Sequence, residues 1–199
     1  MNTETYIALL RGINVSGQKK IPMNELKTLM TGLGYMNVFT YIQSGNLVFN
    51  AIVENKQTLV AMIENALCAV FGFEVSVIIR TLTEFKSIFE QCPFIQENGF
   101  MEEATYFVFL SDGRAESGIN LPVDGSYLPD RFVAIENEVF VYCPGGYGNT
   151  KLNNNYFERK FKTVSTTRNL NTVKQLIQIG NNAGKPQYNE LNTQTSTKM

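Results

Sequence analysis

Val38-Phe39-Thr40-Tyr41-Ile42-Gln43-Ser44-Gly45-Asn46-Leu47-Val48-Phe49 is the stretch on which the fold turns. Two runs of aromatic, aliphatic and β-branched residues flank Ser44-Gly45-Asn46, a polar trio short enough to close a β-hairpin. Upstream, Tyr6-Ile7-Ala8-Leu9-Leu10 reads as a strand. Pro22 then opens a segment with Leu26, Leu29, Met30 and Leu33 on one helical face, ended by Gly32 and Gly34. Downstream, Lys56 to Phe71 carries Leu59, Ile63, Ala66, Leu67 and Val70 at three- and four-residue spacing, the stripe of an amphipathic helix. Glu74 to Arg80 suits a buried strand. The order is β-α-β-β-α-β, the ferredoxin-like split unit, in which two helices cover one face of a four-stranded sheet.

The second half is less regular. Thr81-Leu82-Thr83-Glu84 is a capping box that starts a helix to about Gln91, and Cys92-Pro93 stops it. Ala104 to Leu110 reads as a strand, and the turn-rich stretch from Ser111 to Pro129 has room for a short helix at most. Phe132 to Ile135 and Val139 to Cys143 form a hairpin about Asn137. A Gly-rich loop from Pro144 to Thr150, a helix from Leu152 to Phe161, a short strand at Thr163 to Thr166 and a last helix from Thr172 to Ile179 follow. The expected fold is therefore α+β, with ferredoxin-like (βαββαβ) subdomains at 1–80 and 81–180. The second is degraded, with an added C-terminal helix, and residues 181–199 form a polar tail. The repeat shows in topology and not in residues.

Composition sets limits on function. The 199 residues are 44% hydrophobic and include no histidine, which removes Ser-His-Asp and Cys-His catalysis, His-ligated metals and the usual neutral-pH proton shuttle. Cys68, Cys92 and Cys143 lack metal-site spacing and read as small core residues. No apolar run approaches the ~20 residues of a membrane span, and the start Met1-Asn2-Thr3-Glu4-Thr5 lacks the basic region of a signal peptide. A cytoplasmic protein with no membrane partner and no cofactor is expected. The net charge of −1 conceals an asymmetry: residues 144–199 hold eight of the 17 Lys+Arg and only two of the 18 Asp+Glu. Arg11, Lys19, Lys20 and Lys27 make a second basic segment. Such patches gather anions, although ordinary solvated faces have the same composition.

Four constellations follow strands or precede helices. Arg11-Gly12-Ile13-Asn14-Val15-Ser16-Gly17-Gln18-Lys19-Lys20 resembles a phosphate loop superficially, but Gln18 stands at the lysine position and no Ser or Thr follows it. A generic anion loop or a tight structural turn remains. Gln43-Ser44-Gly45-Asn46 is the hairpin tip, and Gly145-Gly146-Tyr147-Gly148-Asn149-Thr150-Lys151 leads into a helix N-terminus. The last, Thr166-Thr167-Arg168-Asn169-Leu170-Asn171-Thr172, offers Asn171 as an N-cap and places Arg168 where it wants a carboxylate or phosphate, with Glu158 the nearest acid in sequence.

Taken together, Leu10-Arg11-Gly12-Ile13-Asn14-Val15, Gln43-Ser44-Gly45-Asn46, Tyr147-Gly148 to Lys151 and Thr166-Thr167-Arg168-Asn169 to Thr172 resemble the bacterial "domain of unknown function 1697" family over residues 5 to 180. The resemblance implies a cytoplasmic protein of two α+β subdomains and assigns no activity. Ser16 replaces a glycine common in the family and Leu170 a tryptophan, which weakens any base-stacking role there.

Two readings of function stand side by side. In one, Arg11, Asn14, Lys19, Ser44, Asn46, Lys151, Arg168 and Asn169 hold a phosphate-bearing anion, a nucleotide or a nucleic-acid end. In the other, the same residues form a polar network that locks two subdomains of a non-catalytic scaffold or interaction module. RNA binding across the sheet by Tyr6, Phe39, Tyr41 and Phe49 has less support, because the basic-aromatic pattern of RNA-recognition modules is missing. Catalysis has the least. Glu102 and Glu103, at a strand start, point to opposite faces, and Glu136 and Glu138 flank a hairpin tip where exposed charge is routine.

Overall fold

Alternation along the first strand decides the layering. In the computed structural model, which describes residues 3–15, 17–52, 55–111 and 127–183, β1 spans Thr3–Leu10 and its residues from Tyr6 to Leu10 are all buried. Tyr6, Ala8 and Leu10 enter one core, while Ile7 and Leu9 enter another. A strand with apolar residues on both faces must be covered on both.

The first sheet combines β1 with β2 (Met36–Tyr41), β3 (Asn46–Ile52) and β4 (Val77–Thr81), in the antiparallel order β2-β3-β1-β4. Helices α1 (Met23–Gly32) and α2 (Lys56–Phe71) cover its outer face through Leu26, Met30, Leu59, Ile63 and Leu67. Asn55 caps α2 through the Gln57 N–H, and Gly72 ends it in the left-handed region. The second sheet joins β5 (Thr105–Leu110), β6 (Arg131–Ile135), β7 (Glu138–Tyr142) and β8 (Ser165–Asn169) in the matching order β6-β7-β5-β8. Helix α4 (Asn154–Phe161) covers its outer face through Phe157.

Between the sheets lie α3 (Leu82–Glu90), which follows β4, and α5 (Leu170–Ala183), which follows β8. Phe85, Ile88, Leu170, Val173 and Leu176 fill the middle core together with Ile7 and Leu9 of the first sheet and Phe107, Phe109 and Phe140 of the second. The two central helices approach closely: a Cβ on Gly180 would stand 2.6 Å from a Leu82 methyl.

Several elements differ from the sequence reading. The strand placed at Thr163 to Thr166 is β8, and it takes in Arg168 and Asn169 because Thr166, Thr167 and Arg168 pair with Phe109, Val108 and Phe107. Helix α5 starts at Leu170 and reaches Ala183, past the point where the polar tail was expected to begin, because Ala183 still packs in the middle core. The short helix expected after Ser111 and the tail beyond Ala183 lie outside the described residues. Cys68 and Val70 are exposed, on the outer side of α2, so only Cys92 and Cys143 are core thiols. Glu102 and Glu103 belong to a 3-10 turn, not a strand start. Tyr6 and Phe49 are core, Phe39 and Tyr41 pack into the middle layer, and the sheet face that RNA would need is covered. No helix among the described residues is long and apolar enough to cross a membrane.

Candidate functional site

The motif segments converge where the two sheets meet. The Leu10 N–H donates to the Gly45 carbonyl at 2.8 Å, drawing the β2–β3 turn onto the end of β1. Gly45 has φ +76°, and a Cβ there would lie 2.7 Å from Leu10 Cβ and 2.8 Å from Ile13 Cδ1, so only glycine fits. Asn14, itself at φ +55°, fastens the first loop to this turn: its Nδ2 donates to the Gln43 carbonyl (2.9 Å) and the Ile21 carbonyl (3.0 Å), and its Oδ1 accepts the Ile21 N–H. Lys19 Nζ donates to the Glu74 carbonyl at 2.7 Å.

Arg168 reaches from β8 into that corner and is 7% exposed. A guanidinium has five N–H bonds, and acceptors inside the protein meet all of them. Nε donates to Asn46 Oδ1. One terminal nitrogen donates to Thr166 Oγ1 and the Thr167 carbonyl, both at 2.8 Å. The other donates to the carbonyls of Leu10 and Ser44 at 3.0 Å and Gly45 at 3.3 Å. Asn46, fully buried, donates in turn to the Tyr41 carbonyl and Ser44 Oγ. The carboxylate expected beside Arg168 is absent from this set: carbonyl dipoles hold the cation, and burial pushes its pKa down to about 10. Glu158 pairs instead with Arg11, Oε1 to Nε at 2.5 Å and Oε2 to the terminal nitrogen at 2.7 Å, across the junction. Burial raises the Glu158 carboxyl, but the Arg11 hydrogen bonds and the Ser165 N–H outweigh it and hold the group below the ordinary range.

This corner has a twin. Arg80 is the fourth residue of β4 as Arg168 is of β8, and the partners across the sheet are Ile7 and Phe107. Arg80 Nε donates to Glu138 Oε1 at 2.8 Å, one terminal nitrogen to the Leu110 carbonyl at 2.8 Å, and the other to the carbonyl of the preceding residue, Ile79, at 3.0 Å. Asn46 begins β3 and Glu138 begins β7, while Leu10 ends β1 and Leu110 ends β5. The backbone repeats the match: Leu10 to Gly45 corresponds to Leu110 to Asn137 (3.1 Å), and Arg11 to Ser76 corresponds to Ser111 to Val164, both at 2.9 Å. Each half therefore sends one arginine into the other about a pseudo-twofold axis. The repeat is in residues after all, namely Arg80-Thr81-Leu82 against Arg168-Asn169-Leu170, each ending in a capped helix start. Glu138, expected on an exposed hairpin tip, is 7% exposed, and burial raises its carboxyl despite Arg80.

A cleft lies on each side of the axis, and Ser76 and Val164 line both. The one on the Arg80 side has a volume of about 620 Å³ and the one on the Arg168 side about 940 Å³. Arg11, Lys19, Ser44 and Arg168 line the larger cleft; Asn14 braces its loop, and Asn46 backs it from the core. Lys151 is exposed on the neighbouring loop and does not line it. Asn169 is an N-cap, its Oδ1 accepting the Thr172 N–H at 2.8 Å, and it displaces Asn171 from that role. The sequence reading passed over Arg80, set Glu138 aside as an exposed hairpin-tip charge, and gave no role to two asparagines. Asn153 caps α4, and Asn154 Oδ1 accepts the Thr167 hydroxyl at 2.6 Å. The only signal for the first pair was an arginine inside the otherwise apolar Val77-Ile78-Ile79-Arg80. Tyr147, also in the larger cleft, shares a hydrogen bond with Thr167 at 2.8 Å, and burial pushes its phenol up to about 12. Burial likewise pushes the Cys92 and Cys143 thiols up to about 11. These groups hold protons firmly or carry fixed charge, which suits binding and locking better than proton transfer.

Residues 3–140 match the profile of a family described as "Protein of unknown function (DUF1697)". The match takes in Arg11, Ser44, Asn46 and Arg80 and stops short of Arg168. No curated protein matches the chain. Among solved structures, a conserved bacterial protein, SP0830 from Streptococcus pneumoniae, is similar at a TM-score of 0.67 and 23% identity, over 90% of this chain and 99% of that one. At that identity the likeness is one of fold.

Proposed function

We propose that this chain, which belongs to the DUF1697 family of proteins of unknown function, is a non-catalytic scaffold or interaction module whose shared motifs are a structural lock. The observation that carries the reading is the complete internal pairing of Arg168: a side chain kept for a ligand would hold a donor in reserve. We read the architecture as two ferredoxin-like subdomains, 1–80 and 81–180, with α3 and α5 as matching additions after the split units. Three free cysteines suit the reducing cytoplasm, where we place the protein. The test is thermal unfolding of Arg168→Ala and Arg80→Ala in the presence and absence of inorganic phosphate. A lock lowers the midpoint strongly in both variants with phosphate adding nothing to wild type, and unchanged midpoints overturn the reading.

One observation favours a second reading, in which the larger cleft holds a phosphate-bearing anion. Arg168 brings a buried positive charge to the cleft wall with no carboxylate among its partners, and Lys19 lines the same cleft. A ligand anion there would be drawn by the field without a direct bond to Arg168. Phosphate or a nucleotide at millimolar concentration should then raise the midpoint of wild type by mass action, and Lys19→Ala should diminish the rise. No shift with either compound sinks this second reading.

A further inference from the structure

The two reciprocal arginines differ in what they leave unused. Arg168 spends all five N–H bonds inside the protein. Arg80 makes three hydrogen bonds, one from Nε to Glu138 and one from each terminal nitrogen to a backbone carbonyl. One N–H on each terminal nitrogen is left without an acceptor among the described residues, on a residue only 9% exposed that lines the smaller cleft. By the measure that makes Arg168 a lock, Arg80 holds donors in reserve. Its partner is incomplete in the same way. Glu138 Oε1 accepts from Arg80, whereas Oε2 accepts from no described residue, although the Glu138 side chain is 9% exposed. That oxygen keeps contact with solvent, and Glu138 lines the same cleft.

At about 620 Å³ the cleft has the size of a small-molecule site. Four carboxylates, Glu64, Glu84, Glu136 and Glu138, line it against two cations, Lys56 and Arg80. Glu84 is taken by Lys56 and the Thr81 N–H, and Glu64 receives the Val77 N–H. Glu136, exposed on the β6–β7 turn, has no ion pair among the described residues. Burial raises the Glu138 carboxyl, and Glu136 and Glu84 add to the rise, so these charges act on one space. Unmet carboxylate oxygens call for a cationic donor, and unmet guanidinium N–H bonds call for an acceptor. The excess of negative charge selects a ligand that is positive overall. Val60 and Ile88, also in the wall, suit a short aliphatic chain between its two ends.

We propose that the smaller cleft binds a basic amino acid, its cationic nitrogen held by Glu138 and Glu136 and its carboxylate accepting from Arg80. Such a site goes beyond the lock at Arg168 and does not depend on it. An acidic amino acid would meet repulsion from the four carboxylates. An amine with no acceptor would leave the Arg80 donors unmet.

The test is titration calorimetry of the full chain with free arginine, with agmatine, which is arginine without its carboxylate, and with glutamate. Arginine should bind saturably, agmatine about tenfold more weakly for want of the Arg80 contact, and glutamate should give no signal. Glu136→Gln, at an exposed and unpaired position, should fold as wild type does and bind arginine several-fold more weakly. Glu138→Gln keeps an acceptor for Arg80 Nε and should lose about tenfold or more. Lys19→Ala, in the larger cleft, should bind as wild type does. No signal from arginine up to about 10 mM overturns the assignment. Equal binding by wild type and the two glutamine variants overturns it too, as does agmatine that binds as well as arginine. Loss of binding in Lys19→Ala would move the site to the larger cleft and overturns it likewise. The lock is judged separately, by the unfolding of Arg168→Ala.

Discussion

Asn46 occupies against Arg168 the place that Glu138 occupies against Arg80: each is the first residue of its strand, and each accepts from the arginine Nε. One clasp is an ion pair, and the other is a cation held by an amide and carbonyls. That difference sets how the two should respond to mutation and to pH.

Arg168→Ala takes the arginine donors from the carbonyls of Leu10 and Ser44 and from the Asn46 amide oxygen, and leaves the Gly45 carbonyl with the Leu10 N–H alone. The expected loss of unfolding free energy is about 3–5 kcal/mol, seen as a fall of roughly 10 °C in the thermal midpoint. Asn46→Ala should cost about 1–3 kcal/mol, because it strands one arginine N–H and the Tyr41 carbonyl. Denaturant titration of both single variants and the double variant checks the shared network: the double should lose less than the two singles together.

Acid should act on the Glu138 clasp in the unusual sense. A carboxyl raised in the folded state above its ordinary 4.5 binds its proton more tightly folded than unfolded. Its contribution to stability is greatest below 4.5 and declines as pH rises from there through the raised value. Glu84 and Glu158, both held below the ordinary value, do the reverse: their stabilisation is present above 4.5 and is lost as pH falls through their folded values. Urea midpoints of wild type and Glu138→Gln across mildly acidic pH should therefore diverge, with the variant rising more steeply between pH 4.5 and neutrality. Parallel curves contradict the assignment.

Glycine-to-alanine changes at the two close approaches should differ in size. Gly45→Ala adds a methyl against Leu10 Cβ and Ile13 at a positive φ, and neither the backbone nor a strand Cβ can move aside. A loss of about 2–4 kcal/mol is expected. In Gly180→Ala the obstacle is the end of the Leu82 side chain, which can turn, and alanine gains up to about 1 kcal/mol of helix propensity. Its net loss, read from the same unfolding curves, should be smaller by about 1 kcal/mol or more.

Capping gives a local check of the β8–α5 boundary. Asn169→Ala removes the acceptor of the Thr172 N–H and should cost about 1 kcal/mol. Asn171→Ala, within the first turn of α5, should leave stability nearly unchanged or raise it slightly by propensity. The opposite order would place the helix start two residues later.

The first half was legible because local rules and packing agree there. The Lys56 to Phe71 helix, the capping box at Thr81 and the hairpin about Gly45 have the bounds that periodicity and turn chemistry give. The second half was harder to read because its last strand, Ser165-Thr166-Thr167-Arg168-Asn169, is polar: it pairs with β5, and the acceptors that Arg168 finds in the first sheet lie more than a hundred positions away. Of the residues singled out, Arg11, Asn14, Lys19, Ser44, Asn46 and Arg168 meet at one corner, and Lys151 stands outside the cleft. Burial is not visible in a motif, so nothing local to Thr166-Thr167-Arg168 tells that every donor of Arg168 has an acceptor inside the protein. Arg80 was passed over because a single arginine in an apolar strand is a weak local signal, and its register against Ile7 reveals it as a twin.

The reciprocal arginines have one more implication, which follows from their being on one chain. Residues 91–104 tether β5 to α3, so each half meets the other at the millimolar effective concentration typical of a short linker. Clasps between tethered halves need not supply affinity; they need only select one docking angle among many. That relaxes the demand on each of them separately. It lets one keep a carboxylate and the other replace it with an amide, so that two sheets of matching strand order meet through unlike clasps.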